Sequence, residues 1–177
     1  ILVSWKYYNK DGSLFSEIIA KNGKPWEGEL PYKSKSFEIG ELSGFAFREG
    51  SEFNVVIIKE GETIASNTYY DASRAKFKYD IKQLSMTTYA LNGNVLGEVR
   101  YKNLTALKKN QPQEGSIFNF TMDEVALEIL YKNGVQVQAN YLMHKSGRLW
   151  KKEIINNDEV IQNEGYYSNG QLKYKTD

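Results

Sequence analysis

The stretch "YYSNGQLKY" (residues 166–174) joins two tyrosines, a tight turn, a leucine and a further tyrosine, and "YYNKDGSL" (7–14) has the same layout. An Asn-Gly or Asp-Gly pair between such flanks is a strong hairpin signal. Both central residues of a type I′ turn need positive φ, which Asn, Asp and Gly tolerate best. These pairs stand at Asp11-Gly12, Asn22-Gly23, Asn92-Gly93, Asn133-Gly134 and Asn169-Gly170. Glu49-Gly50, Glu60-Gly61 and Ser146-Gly147 are weaker versions.

The segments between the turns have strand length and strand composition: "SLFSEIIA" (13–20), "SEFNVVII" (51–58), "ETIASNTYY" (62–70), "NVLGEVRY" (94–101), "VALEILY" (125–131), "VQVQANYLM" (135–143) and "RLWKKEII" (148–155). Val135, Val137 and Ala139 alternate with Gln136, Gln138 and Asn140, the period of a strand with one buried face.

The turns also recur at intervals of about 23 residues. Gly147 and Gly170 are 23 residues apart, as are Gly50 and Ser73. Ser36 follows Gly12 by 24, Asp123 precedes Gly147 by 24, and Ser73 precedes Gly93 by 20. A second turn falls 11 residues into a unit, at Gly23, Gly61 and Gly134. A period of this length marks a repeat architecture, in which each hairpin buries little alone and is stabilised by its neighbours. The expected fold is all-β: an elongated antiparallel β-meander of repeated hairpins of about 23 residues, mostly a single-layer sheet, with residues 1–177 as one repeat-built domain. The register slips between Ser36 and Gly50 and between Gly93 and Asp123. The stretch "LTALKKNQPQEGSIFNF" (104–120) holds Pro112 and few strand formers, so a loop or insert is expected over 104–116.

"YYSNGQLKYK" (166–175), "YKNGVQV" (131–137) and "YALNGNVLGEVRYKN" (89–103) resemble MORN repeats. The match is to the bacterial, antitoxin-like variant with the pattern Y-x-x-N-G-x-L-x-x-E-x-x-Y-x-N-G. It covers 7–30, 89–103 and 125–175 and is weak over 31–88, where "KS", "EG" and "AS" replace "NG". The resemblance implies an elongated antiparallel sheet that serves as a scaffold or binding module rather than an enzyme.

Composition narrows the classes. With 23 basic and 22 acidic side chains the net charge is +1, too balanced for a nucleic-acid or anionic-membrane partner, which requires excess Lys and Arg. No cysteine is present, which removes disulfides, thiolate metal sites and cysteine nucleophiles. The longest strongly apolar run, Val55-Val56-Ile57-Ile58, falls far short of the ~20 residues of a spanning helix, so no transmembrane segment is expected. The chain opens at "ILVSW" without Met or a charged leader, the look of a mature or trimmed chain. The compartment stays open, with a secreted or cell-surface location slightly favoured over the cytoplasm.

Catalytic motifs are sparse. His144, in "YLMHKSG", is the one histidine and reads as a turn-flanking residue; it would have to serve any Ser-His-Asp triad, and no serine sits in G-x-S-x-G. One His without Cys makes a zinc site remote, and phosphate-loop glycine patterns are absent. Glu27, Glu29, Glu98, Glu153 and Glu164 lie in or near strands and leave paired-carboxylate glycoside hydrolysis as a third hypothesis. Asp123-Glu124 lacks the acidic spacing of a calcium loop. No catalytic residue, metal or cofactor is therefore assigned.

Aromatics are the surplus. Tyr7-Tyr8, Tyr69-Tyr70 and Tyr166-Tyr167 are adjacent pairs, and strand neighbours point to opposite faces. Trp26, Tyr69, Tyr70, Trp150, Tyr166 and Tyr167 are the candidate ligand-binding residues, as a stacking surface for a sugar or an extended peptide; the competing reading makes such rings the core of the sheet. The expected function is a non-catalytic repeat scaffold or protein/peptide interaction module, using an aromatic face or an edge strand. The alternative is a carbohydrate-binding surface using exposed Trp and Tyr.

Overall fold

The computed structural model describes residues 1–8, 12–32, 53–71, 74–121, 124–143 and 146–176. His144 and the turn marks at Ser36, Gly50, Ser73 and Asp123 lie outside the described residues. The fold is all-β, an antiparallel meander of consecutive hairpins with fourteen strands and one short helix among the described residues. The chain divides into two compact units, Ile1–Tyr79 and Asp80–Asp177, and in each the strand order is the chain order.

The first unit holds β1 (Leu2–Tyr8), β2 (Leu14–Lys21), β3 (Lys24–Tyr32), β4 (Phe53–Lys59), β5 (Glu62–Asp71) and β6 (Arg74–Asp80). Its buried side chains include Ile18, Ala20, Val55, Ile58, Ile64 and Tyr70, together with the polar Ser16, Asn67 and Lys76. Two strands separate β2 from β5, so Phe15 and Tyr69 would sit three strand spacings, about 14 Å, apart in a flat sheet. Their ring centroids are 6.1 Å apart. Side chains of β2 and β5 therefore meet across the two strands between them and add apolar cover on that face.

The second unit holds β7 (Ser85–Tyr89), β8 (Val95–Tyr101), α1 (Leu104–Lys108), β9 (Pro112–Thr121), β10 (Glu124–Lys132), β11 (Val135–Leu142), β12 (Leu149–Asn156), β13 (Glu159–Tyr166) and β14 (Leu172–Thr176). Met86, Val99, Tyr101, Leu107, Phe118 and Ala139 are its buried apolar residues. The stretch 104–116, expected as a loop or insert, instead folds into the short helix α1 and the start of β9. Asn103 caps α1 by accepting the Ala106 N–H at 2.9 Å, and Leu107 is buried. Pro112 opens β9, the strand position where a missing N–H is tolerated.

The Asn-Gly pairs make two different turns. Asn22-Gly23 and Asn133-Gly134 have positive φ at both residues, as type I′ requires, and so do Glu60-Gly61 and Asn157-Asp158. At Asn92-Gly93 and Asn169-Gly170 only the glycine has positive φ. There the Asn side chain accepts the N–H two residues on, from Asn94 and from Gln171, both at 3.0 Å. Ala90 N–H and Tyr167 N–H reach across to Asn94 and Gln171 carbonyls at 2.8 and 2.9 Å. These are longer loops built on a local Asn turn, so the expectation of type I′ geometry at those two sites is corrected. In the second unit the two kinds lie at opposite ends of the strands: Gly93, Gly147 and Gly170 at one end, and Gly134 and Asn157-Asp158 at the other. Hairpins of both kinds slip register by one residue beside the turn, as at Leu130/Tyr131, Tyr141/Leu142, Ile154/Ile155 and Gly165/Tyr166.

Candidate functional site

Strands β9 to β14 pair in order, and away from their bulges paired residues share a face. One face carries the row Phe118, Glu128, Asn140, Lys152, Glu164 and Lys175, one residue per strand. The opposite face carries Asn119, Leu127, Tyr141, Lys151, Gly165 and Tyr174. Neighbouring members of a row stand about 4.8 Å apart, the spacing of the strands themselves.

The first face is a polar ladder in which side chains hold one another. Glu128 accepts Ser116 Oγ at 2.9 Å and Asn140 Nδ2 at 2.8 Å, and Asn140 Oδ1 accepts Gln138 Nε2 at 2.8 Å. Glu164 accepts Gln162 Nε2 at 2.8 Å and the Tyr166 hydroxyl at 2.5 Å. Lys152 and Lys175 flank it at 3.9 and 3.8 Å. The Tyr166 hydrogen bond, helped by the two ammonium groups, holds the Glu164 carboxyl below its ordinary value, and the same bond pushes the Tyr166 hydroxyl up.

The second face is an aromatic and ionic cluster. Lys151 Nζ lies 2.6 Å from Glu153 Oε1 and 5.0 Å from the Tyr141 ring centroid. The Tyr141 hydroxyl donates to Glu153 Oε2 at 2.8 Å. Lys151 and Tyr141 together lower the Glu153 carboxyl, and the Glu153 bond raises both Lys151 and Tyr141. Trp150 is the extra residue of the bulge opposite Tyr141/Leu142, and its ring centroid is 5.9 Å from that of Tyr141. Tyr174 leans over Gly165: a Cβ on Gly165 would come within 2.1 Å of its ring. The sheet needs glycine there so that a flat ring can rest on the strand.

The sequence candidates are divided among these surroundings. Trp26, Tyr69 and Tyr70 belong to the first unit. Trp26 is half-buried with Lys21 Nζ 4.1 Å from its ring centroid. Tyr69 packs on Phe15, and Tyr70 is buried with Lys76 Nζ 5.1 Å from its ring. In the second unit Trp150 joins the Tyr141 cluster, and Tyr166 serves the ladder on the other face. Tyr167 is 50% exposed at the β13–β14 turn, with Lys173 Nζ 5.7 Å from its ring. The six therefore form no single stacking surface within either unit. Tyr141, Lys151, Gly165 and Tyr174 were not among them, although the pairing of a strand glycine with a Tyr on the next strand is the signal that could have found them.

Glu153 and Glu164 lie on opposite faces of one sheet, and the Lys151 and Tyr141 contacts lower the first carboxyl as the Tyr166 bond lowers the second. Such a pair lacks the raised carboxyl and the shared cleft of a general acid. Among the described residues no group of three or more metal-ligating side chains occurs, and no helix is long and apolar enough to cross a membrane. No protein-family model matches the chain, and no curated protein matches it.

Proposed function

We propose that this chain is a non-catalytic, MORN-like repeat module that binds a protein segment across the polar ladder of β9–β14. One observation carries the reading: Glu128, Asn140, Lys152, Glu164 and Lys175 stand in one row, one residue per strand, and most are fixed by hydrogen bonds or ion pairs to neighbours in the ladder. Side chains already held in place lose little freedom on binding, so the ordering cost of an interface is reduced. Their alternating charges set partner choice by complementarity rather than bulk attraction. The repeated turns support the MORN-like assignment, and Glu153 and Glu164 stand on opposite faces of the sheet, where they cannot flank one glycosidic bond.

The test is a displayed-peptide selection on the immobilised protein, followed by titration of the selected peptides. Binding is expected to weaken about tenfold, roughly 1.4 kcal/mol, in Lys152→Gln and in Glu164→Gln. Peptides that bind both variants as tightly as the parent chain would sink the assignment of the ladder.

A further inference from the structure

The opposite face of the same strands has a different chemistry. The Tyr174 ring lies over Gly165, where a Cβ would meet it, and the residue is 43% exposed. Trp150 is 44% exposed beside Tyr141. Between these two plates lies Lys151, whose charge is matched by Glu153 at 2.6 Å. From this arrangement we propose a second binding site, for a neutral, flat oligosaccharide of β-1,4-linked pyranose rings.

Four properties select that class. Trp150 and Tyr174 are each more than two-fifths exposed on this face. A ligand needs a broad apolar side of its own to cover them, as the C–H faces of pyranose rings do, whereas an extended peptide needs recesses for alternate side chains. The charges of Lys151 and Glu153 cancel locally, so the site gives an ionic ligand no net attraction. Lys151 and Glu153 are nevertheless still partly accessible between the plates, at 24% and 13% of the side chain, and offer a donor and an acceptor to hydroxyl groups. Trp150 on β12 and Tyr174 on β14 are two strand spacings apart, about 10 Å, a span suited to consecutive sugars in an extended, equatorially linked chain. This site shares no side chain with the ladder and stands or falls independently of it.

The experiment is a titration of isotope-labelled protein with cellohexaose at millimolar concentration, followed through the indole N–H signals. Saturable movement of the Trp150 signal is expected, with Trp5 and Trp26 unmoved. Trp150→Ala is expected to weaken binding about tenfold or more. Tyr174→Leu, which keeps an apolar cover over Gly165 without the flat ring, is expected to do the same, and it decides the matter should Trp150→Ala disturb the fold. A Trp150 signal that does not respond, or a response of equal affinity in Tyr174→Leu, overturns the proposal.

Discussion

The dipeptide Glu-Gly occurs at Glu114-Gly115 in β9 and again at Glu164-Gly165 in β13, and the two glycines are needed for unrelated reasons. Gly115 has φ +101°, and a Cβ there would meet the Glu98 carbonyl oxygen at 2.0 Å. The obstruction is backbone of the neighbouring strand, and the conformation itself disfavours an L side chain. Gly165 needs no positive φ; its obstruction is the side-chain ring of Tyr174. The first glycine lets two backbones approach. The second provides a seat for an aromatic plate. Identical letters therefore mark a folding requirement in one region and a surface-building device in the other.

That contrast can be broken by substitution. Gly115→Ala is expected to have the largest effect, about 3 kcal/mol or more of lost stability, because neither φ nor the Glu98 carbonyl can relax cheaply. Chemical denaturation measures it, and a loss below about 1 kcal/mol would mean that β8 and β9 separate easily. Gly165→Ala is expected to cost less, about 1–3 kcal/mol, since a side chain can swing away. Adding Tyr174→Ala to Gly165→Ala should recover most of that loss, a coupling read from a double-mutant cycle. No recovery would show that the ring is not what excludes a Cβ.

The smallest expected effect concerns the carboxylate beside the second glycine. Glu164 has a lowered pKa in the folded chain, from the Tyr166 hydroxyl first and then Lys152 and Lys175. A depressed carboxylate contributes stability that is present above its unfolded pKa, about 4.3, and is lost as pH falls through its lower folded value. Glu164→Gln should therefore lower Tm slightly at neutral pH and narrow the difference between neutral and acid pH. The change should be modest, because the ladder faces solvent and its ion pairs are screened. A Tm difference between variant and parent that is unchanged across the carboxylate range would remove Glu164 from the acid response.

Much of the architecture was readable from the residues. "VQVQANYLM" and "RLWKKEII" became β11 and β12 within a residue of their expected bounds, because turn chemistry and β-branched content agreed there. Strand β9 was missed. Pro112, Gln113 and Glu114 read as loop, yet a strand can begin at Pro, and this one is fixed by pairing with β8 at its start and with β10 from Gly115 onward. The site was harder still. A shift of one residue moves a side chain to the other face, and these hairpins shift by one beside their turns. Alternation within one strand therefore could not say that Tyr141 and Tyr174 share a face with Lys151 while Tyr166 does not. The two turn geometries were likewise hidden, since Asn133-Gly134 and Asn169-Gly170 are the same two letters with different lengths of loop around them.

A strand order that copies the chain order has a kinetic consequence. In the second unit every strand pairs with the strand just made across a connection of ten residues or fewer, so no long loop must close before a favourable pairing forms. Sheets usually fold slowly because distant segments must find each other, but this connectivity removes that search. The second unit should form by growth from any hairpin that closes first, and open from its ends in the same stepwise manner, as nearest-neighbour arrays do.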